Sequence, residues 1–231
     1  MATVPPRPTL LSATALSSST IRVIFEGNGD GGSVILAWQI GYGTNPTTPQ
    51  GLVDSDGNTV LGGFSPGQRI YFWARGRNAI GWGPWSNRGS AVTWKVPNAP
   101  QPVITRGETQ TTVVASFVDG YDGGTPIIEW QIGYGLNAEG PDLFVNDTFH
   151  IASFILTNLE PGGTYYFWAR TRNVVGWSAW SARSQKNLIA GARVRVGYQM
   201  LRAVPYVRVG GVWKVARPWV KSGAAWRETS I

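Results

Sequence analysis

Apolar and polar residues alternate with period two along most of the chain. In "TIRVIFEG" the residues Ile21, Val23 and Phe25 fall on one face, and "TTVVASFVDG" places Val113, Ala115 and Phe117 in the same way. "ILAWQIGYG" groups Leu36, Trp38 and Ile40. "QRIYFWARGRN" sets Ile70, Phe72 and Ala74 on one side and Tyr71, Trp73 and Arg75 on the other. Side chains point to opposite faces of a pleated strand in turn, so these stretches predict short strands with one face on a core. Between them lie "GNGDGGS", "DSDGN", "SPGQ", "DGYDGGTP" and "LEPGG". Gly, Pro, Asn and Asp supply the backbone conformations that turns demand. Many short antiparallel strands with this punctuation predict an all-β chain built of sandwiches.

The pattern occurs twice. "AWQIGYG" from Ala37 returns as "EWQIGYG" from Glu129, and "PGQRIYFWARGRNAIGWGPWS" from Pro66 returns as "PGGTYYFWARTRNVVGWSAWS" from Pro161. The first pair is offset by 92 residues and the second by 95, which places a three-residue insertion in the second copy. A repeat of this length is a whole domain. "VPNAPQP", from Val96 to Pro102, marks the boundary, because proline restricts both itself and its predecessor. The expected division is a sandwich over residues 1–98, a second over 99–188, and a region of hairpin repeats over 189–231.

Phe64, Pro66, Gly67 and Tyr71 in the first copy are followed by Asn78, Gly81, Gly83 and Ser86. The second copy has Leu159, Pro161 and Gly162, then Tyr165 or Tyr166, then Asn173, Gly176, Ser178 and Ser181. These residues resemble the "L-x-P-G-x-x-Y" and "A-x-N-x-x-G-x-G-x-x-S" patterns of the fibronectin type III domain. The resemblance implies two tandem immunoglobulin-like β-sandwiches, each with a tyrosine hydroxyl locking a corner. Alignment of the copies matches Tyr166 to Tyr71, so these two are the expected locking residues. Trp38 and Trp130 stand where the family usually has tyrosine, as further fold-locking aromatics, and Phe64 replaces the usual leucine.

The chain offers little to a catalytic mechanism. It has no cysteine, which removes disulfides and thiolate metal sites. The one histidine, His150, reads as a strand-entry residue, and no "GxSxG" accompanies it. Asp30, Asp119 and Asp122 lie in glycine-rich loops and read as turn residues. "DGYDGG" lacks the spacing of a calcium loop, and "GNGDGG" lacks the "GK[ST]" of a phosphate loop. The expectation is a non-enzyme without cofactor or metal. No apolar stretch has the length of a membrane span or a signal peptide, so membrane insertion and export are not expected.

Twelve tryptophans are many for 231 residues, and four of them form a repeated motif. "GWGPWS" holds Trp82 and Trp85, and "GWSAWS" holds Trp177 and Trp180. Arg75 and Arg77 precede the first pair, Arg170 and Arg172 the second. Guanidinium planes stack on indoles, so one reading is a ladder that closes the edge of each sandwich. The other is an aromatic platform for a sugar or a protein, with Trp82, Trp85, Trp177, Trp180, Arg77 and Arg172 as the candidate surface.

The net charge of +7 lies wholly after Ile189, where eight basic residues meet one acid, while the rest of the chain is neutral. In that tail Gly197, Gly210 and Gly223 recur every thirteen residues, as do Arg195, Arg208 and Lys221. "PYVRVGGVWKVAR" is the cleanest unit, and Gly-Gly between alternating halves predicts a tight hairpin. Val207, Val209, Val212, Trp213, Trp219, Trp226, Arg208 and Lys214 are the candidate docking residues. The basic charges alternate with valine as the wet face of a sheet does, and nucleic acid is not an expected partner.

"VRVGGVWK" repeats after such sandwiches resemble minor tail proteins of phages infecting actinobacteria. The resemblance implies a virion structural protein made in the host bacterial cytoplasm, whose partners are other virion proteins and copies of itself. Two alternatives stand beside it. One is a capsid decoration protein. The other is a carbohydrate or cell-surface binding module contacting a glycan of the host envelope.

Overall fold

The computed structural model describes residues 1–106, 109–149 and 153–189, and beyond them the backbone alone of six short strands. His150 lies outside the described residues. The chain divides into two compact units: Met1–Pro97 with Tyr121–Pro126 and Asn173–Gly176, and Asn98–Gly120 with Ile127–Arg172 and Trp177–Ile231.

The first sandwich contains β1 (Thr9–Ala15), β2 (Ile21–Glu26), β3 (Ala37–Gly43), β4 (Gly51–Ser55), β5 (Asn58–Leu61), β6 (Arg69–Arg77) and β7 (Gly89–Val92). They form a three-stranded sheet, β1-β2-β5, and a four-stranded sheet, β4-β3-β6-β7. The inward residues of the alternation, Ile21, Val23, Phe25, Ile40, Ile70, Phe72 and Ala74, are buried together. Each large one contributes roughly 1.5–3 kcal/mol by leaving water.

The second sandwich repeats this plan with β8 (Ile104–Arg106), β9 (Val113–Ser116), β10 (Glu129–Gly135), β11 (Leu143–Asp147), β12 (Phe154–Leu156), β13 (Thr164–Arg172) and β14 (Ser184–Asn187). Its sheets run β12-β9-β8 and β11-β10-β13-β14, around Val113, Ala115, Ile132, Phe154, Leu156 and Phe167.

Leu36 departs from the alternation. It precedes β3, where the chain is not yet a strand, and it is 60% exposed. Trp38 is half-buried and meets Phe25 edge-on at 5.5 Å, while Trp130 is buried in the core. The Trp130 indole N–H donates to both carboxylate oxygens of Asp119 at 3.0 Å, so Asp119 is more than a turn residue.

The corner tyrosine requires a correction. Tyr165, not Tyr166, is buried, and its hydroxyl accepts a hydrogen bond from Glu160 N at 2.9 Å. Adjacent residues on a strand face opposite ways. Tyr165 therefore shares the inward side with Phe167 and Ala169, and Tyr166 faces out, beneath the Arg183 guanidinium at 5.0 Å. Tyr71 likewise faces out, with Arg88 4.9 Å above its ring. The inward position of the first copy is Ile70, which has no hydroxyl. There Ser65 N, the counterpart of Glu160 N, donates to Gln68 Oε1 at 2.9 Å.

The tail contains β15 (Arg193–Val196), β16 (Gln199–Arg202), β17 (Tyr206–Val209), β18 (Val212–Val215), β19 (Trp219–Ser222) and β20 (Ala225–Glu228). They form three separate two-stranded sheets, β15-β16, β17-β18 and β19-β20, at the thirteen-residue spacing of the sequence. The register pairs Val209 with Val212, Arg208 with Trp213 and Val207 with Lys214. It pairs Trp219 with Glu228 and Lys221 with Trp226. The side chains of these docking candidates lie outside the described residues.

Candidate functional site: a twice-built arginine–tryptophan ladder

After β6 the chain turns and comes back along the same strand. Asn78 makes the turn. Its Oδ1 accepts from Ile80 N at 2.9 Å and Gly81 N at 3.2 Å, and its Nδ2 donates to Thr3 O at 2.7 Å and Asp30 O at 2.8 Å. The returning segment then pairs with β6 beyond the end of β7. Gly83 N donates to Gly76 O at 2.8 Å and Ser86 N to Ala74 O at 2.7 Å. Ser86 Oγ accepts from Ala74 N at 2.9 Å and donates to Asn87 O at 2.9 Å, which satisfies a buried amide the strand would otherwise leave open.

This return sets Trp82 and Trp85 on either side of Arg75. The guanidinium carbon lies 4.5 Å from the Trp82 ring centre and 4.1 Å from that of Trp85. Its Nε and Nη2 both donate to Gln39 Oε1, at 3.1 and 2.7 Å, from the neighbouring strand β3. Arg77 reaches Trp82 from the outer side at 5.6 Å. Gly41 makes room for the indole. A Cβ there would lie 3.1 Å from Trp85 Cη2 and 2.7 Å from Pro49 Cγ. Burial pushes the Arg75 guanidinium below the usual arginine range, yet an arginine remains a cation at neutral pH.

The second copy builds the same ladder. Arg170 lies 4.4 Å from the Trp177 ring and 4.3 Å from the Trp180 ring, and its Nε donates to Gln131 Oε1 at 2.7 Å. Arg172 reaches Trp177 at 5.8 Å. Ser178 and Ser181 hold the returning segment, accepting from Thr171 N at 3.1 Å and Ala169 N at 3.0 Å. Here the outer arginine is paired. Arg172 Nη1 donates to Glu129 Oε2 at 3.1 Å, where the first copy has Ala37 opposite Arg77. Burial lowers Arg170 as well, and the Glu129 charge partly restores it. Phe144, 52% exposed, stacks on Trp180 with ring centres 6.0 Å apart and extends the aromatic surface.

All six candidate surface residues thus meet in two ladders. Arg75 and Arg170, named in the sequence as parts of a ladder but not of the candidate surface, are its centres, and their period-two spacing with Arg77 and Arg172 on β6 and β13 was the signal. The glutamines that hold them, Gln39 and Gln131, were not singled out. The indoles are half-buried, with one face against a guanidinium. Among the described residues no three His, Cys, Asp or Glu come together as metal ligands, and no helix is long and apolar enough to cross a membrane.

These features define an all-β protein with tandem fibronectin type III-like sandwiches, which are structural, non-catalytic domains. Residues 98–187 match the family model of the fibronectin type III domain. A stretch of 91 residues is 34% identical to Fasciclin-2 of Schistocerca americana, covering 38% of this chain and 10% of that protein. The chain therefore spans about a tenth of the curated relative it matches. A crystal structure of the chicken CNTN1 FN1–FN3 domains aligns over 81% of this chain and 69% of that one, at 14% identity and a TM-score of 0.37.

Proposed function

We propose that the chain is a non-enzymatic surface-binding protein whose sandwiches present the two ladders to a glycan of a cell envelope. The observation that carries this reading is the ladder built twice from the same parts on the outward face of a sheet. An indole clamped on a guanidinium is a rigid, amphipathic surface, and it loses little conformational entropy on binding. Purified protein is expected to sediment with host envelope polysaccharide. Trp82→Ala with Trp177→Ala is expected to release it while thermal unfolding stays cooperative. Wild-type protein that never binds envelope material refutes the reading.

A second reading concerns where the protein sits, and the thirteen-residue hairpins favour it. An isolated two-stranded hairpin is marginal in water, so three in succession need a surface on which to complete their folding. With the resemblance of "VRVGGVWK", this supports a minor tail protein of a phage virion, made in the bacterial cytoplasm and attached through its last forty or so residues to other virion proteins or to copies of itself. Mass spectrometry of purified particles tests the placement, and particle density separates tail from capsid. A chain ending at Ala190 is expected to fold and to fail to join particles. Incorporation at wild-type occupancy would show that docking runs through the sandwiches.

A further inference from the structure

The two sandwiches differ at one end of their cores. In the second, Tyr165 fills the inward position, and the Leu136 side chain lies close to Gly163 beside the Tyr165 ring. The first sandwich has smaller residues at the matching places, Ile70 for Tyr165 and Thr44 for Leu136. A cleft of about 340 Å³ opens there. It is lined by Tyr42, Thr44, Gln50, Phe64, Gln68 and Ile70, together with glycine backbone.

We infer that this cleft is a binding site for a single neutral hexose ring. The lining has no charged side chain, which disfavours an ionic ligand. Tyr42 and Phe64 meet edge-on at 6.1 Å and give apolar walls suited to the C–H faces of a sugar, above the buried Ile70. The polar side-chain groups of the lining are the Gln50 and Gln68 amides and the Thr44 and Tyr42 hydroxyls. Gln50 Oε1 is already engaged by Thr44 N at 2.6 Å, Thr44 Oγ1 at 3.0 Å and Asn45 N at 3.2 Å. Gln68 Oε1 is engaged by Ser65 N. Each glutamine is therefore left with its NH₂ as a donor that has no partner among the described residues. A ligand that answers two neutral donors between apolar walls carries acceptor oxygens around a ring with apolar faces, as a hexose does. The volume is at the small end of ligand clefts, roughly 300–1,000 Å³, and suits one ring rather than a chain. Each polar contact replaces one to water, so affinity for an isolated ring is on the order of millimolar.

The inference rests on the reading of the sandwiches as glycan-binding and names a separate site for it. The test is a series of amide ¹H–¹⁵N spectra of the full chain titrated with the methyl glycosides of glucose, galactose, mannose and N-acetylglucosamine. At least one is expected to give saturable shifts at residues 42–44, 62–64 and 68–70, with none around Tyr165. Ile70→Tyr and Thr44→Leu each fill the cleft with what the second sandwich carries. Each is expected to weaken binding by about tenfold or more, with a native spectrum retained. Absence of shifts with all four glycosides overturns the inference, as does wild-type binding by both variants. Envelope binding that is lost in Trp82→Ala with Trp177→Ala but unchanged in Ile70→Tyr, with no hexose shifts, leaves the ladder reading standing and removes the cleft. Hexose shifts in a protein that never binds envelope material do the reverse.

Discussion

Arg75→Ala removes the centre of the first ladder, and its cost follows from the contacts. The guanidinium lies 4.5 and 4.1 Å from two indoles. Each such contact contributes about 0.5–1 kcal/mol when partly exposed. The charge-assisted bonding to Gln39 contributes about 1 kcal/mol more. Together these give a loss of about 2–3 kcal/mol, or a fall in Tm on the order of 10–20 °C for a sandwich of this size. Arg75→Lys keeps the charge but has no flat faces, so it should recover less than half of the loss. Calorimetry of the full chain reads the effect, and Arg170→Ala assigns the transition of the other sandwich. The freed indoles of Trp82 and Trp85 should also shift their fluorescence to longer wavelength. A Tm for Arg75→Ala within about 2 °C of wild type refutes the reasoning, because the contacts would then be geometric neighbours without energetic weight. A lysine variant as stable as wild type would show that charge alone suffices.

Three more outcomes follow from the same geometry. Tyr165→Phe should lower stability by about 1 kcal/mol in chemical denaturation, through loss of the bond from Glu160 N, while Tyr166→Phe should be neutral. Asn78→Ala, which strips four hydrogen bonds from a residue 2% exposed, should cost about 2–4 kcal/mol and leave the turn before Trp82 frayed in amide exchange. Burial, with Tyr165 nearby, raises the Tyr134 phenol above its ordinary 10.0. The folded state then holds a proton that the unfolded chain has lost. Stability is therefore full below about pH 10 and falls as pH rises beyond it, and Tyr134→Phe should flatten that fall.

Period-two alternation made the inward faces legible, because Ile21, Val23, Phe25, Phe72 and Ala74 follow from pleating alone. It misplaced Leu36, where the strand has not begun and no pleat governs burial. The corner tyrosine shows two criteria in conflict. The "L-x-P-G-x-x-Y" spacing reaches Tyr165, whereas alignment of the copies reaches Tyr166. The alignment misled because the first copy carries Ile70 at the true position and offers Tyr71 as the nearest tyrosine. The bond from Trp130 to Asp119 joins a strand to a distant loop, and no local pattern encodes it. The ladder was half visible. Tryptophan and arginine spacing named the parts, but the return of the chain along β6 decides which arginine each indole covers. The cleft arises from the difference between the copies, and its trace in the sequence was Ile70 and Thr44 where the second copy has Tyr165 and Leu136.

Each tail hairpin closes on its own partner strand, β15 on β16, β17 on β18 and β19 on β20. Loss or gain of one thirteen-residue unit in frame therefore leaves the pairing of the others untouched. If the hairpins are the attachments, grip is inherited in whole steps. A lineage can tighten or loosen its hold by duplicating or dropping a unit, without redesigning any single contact.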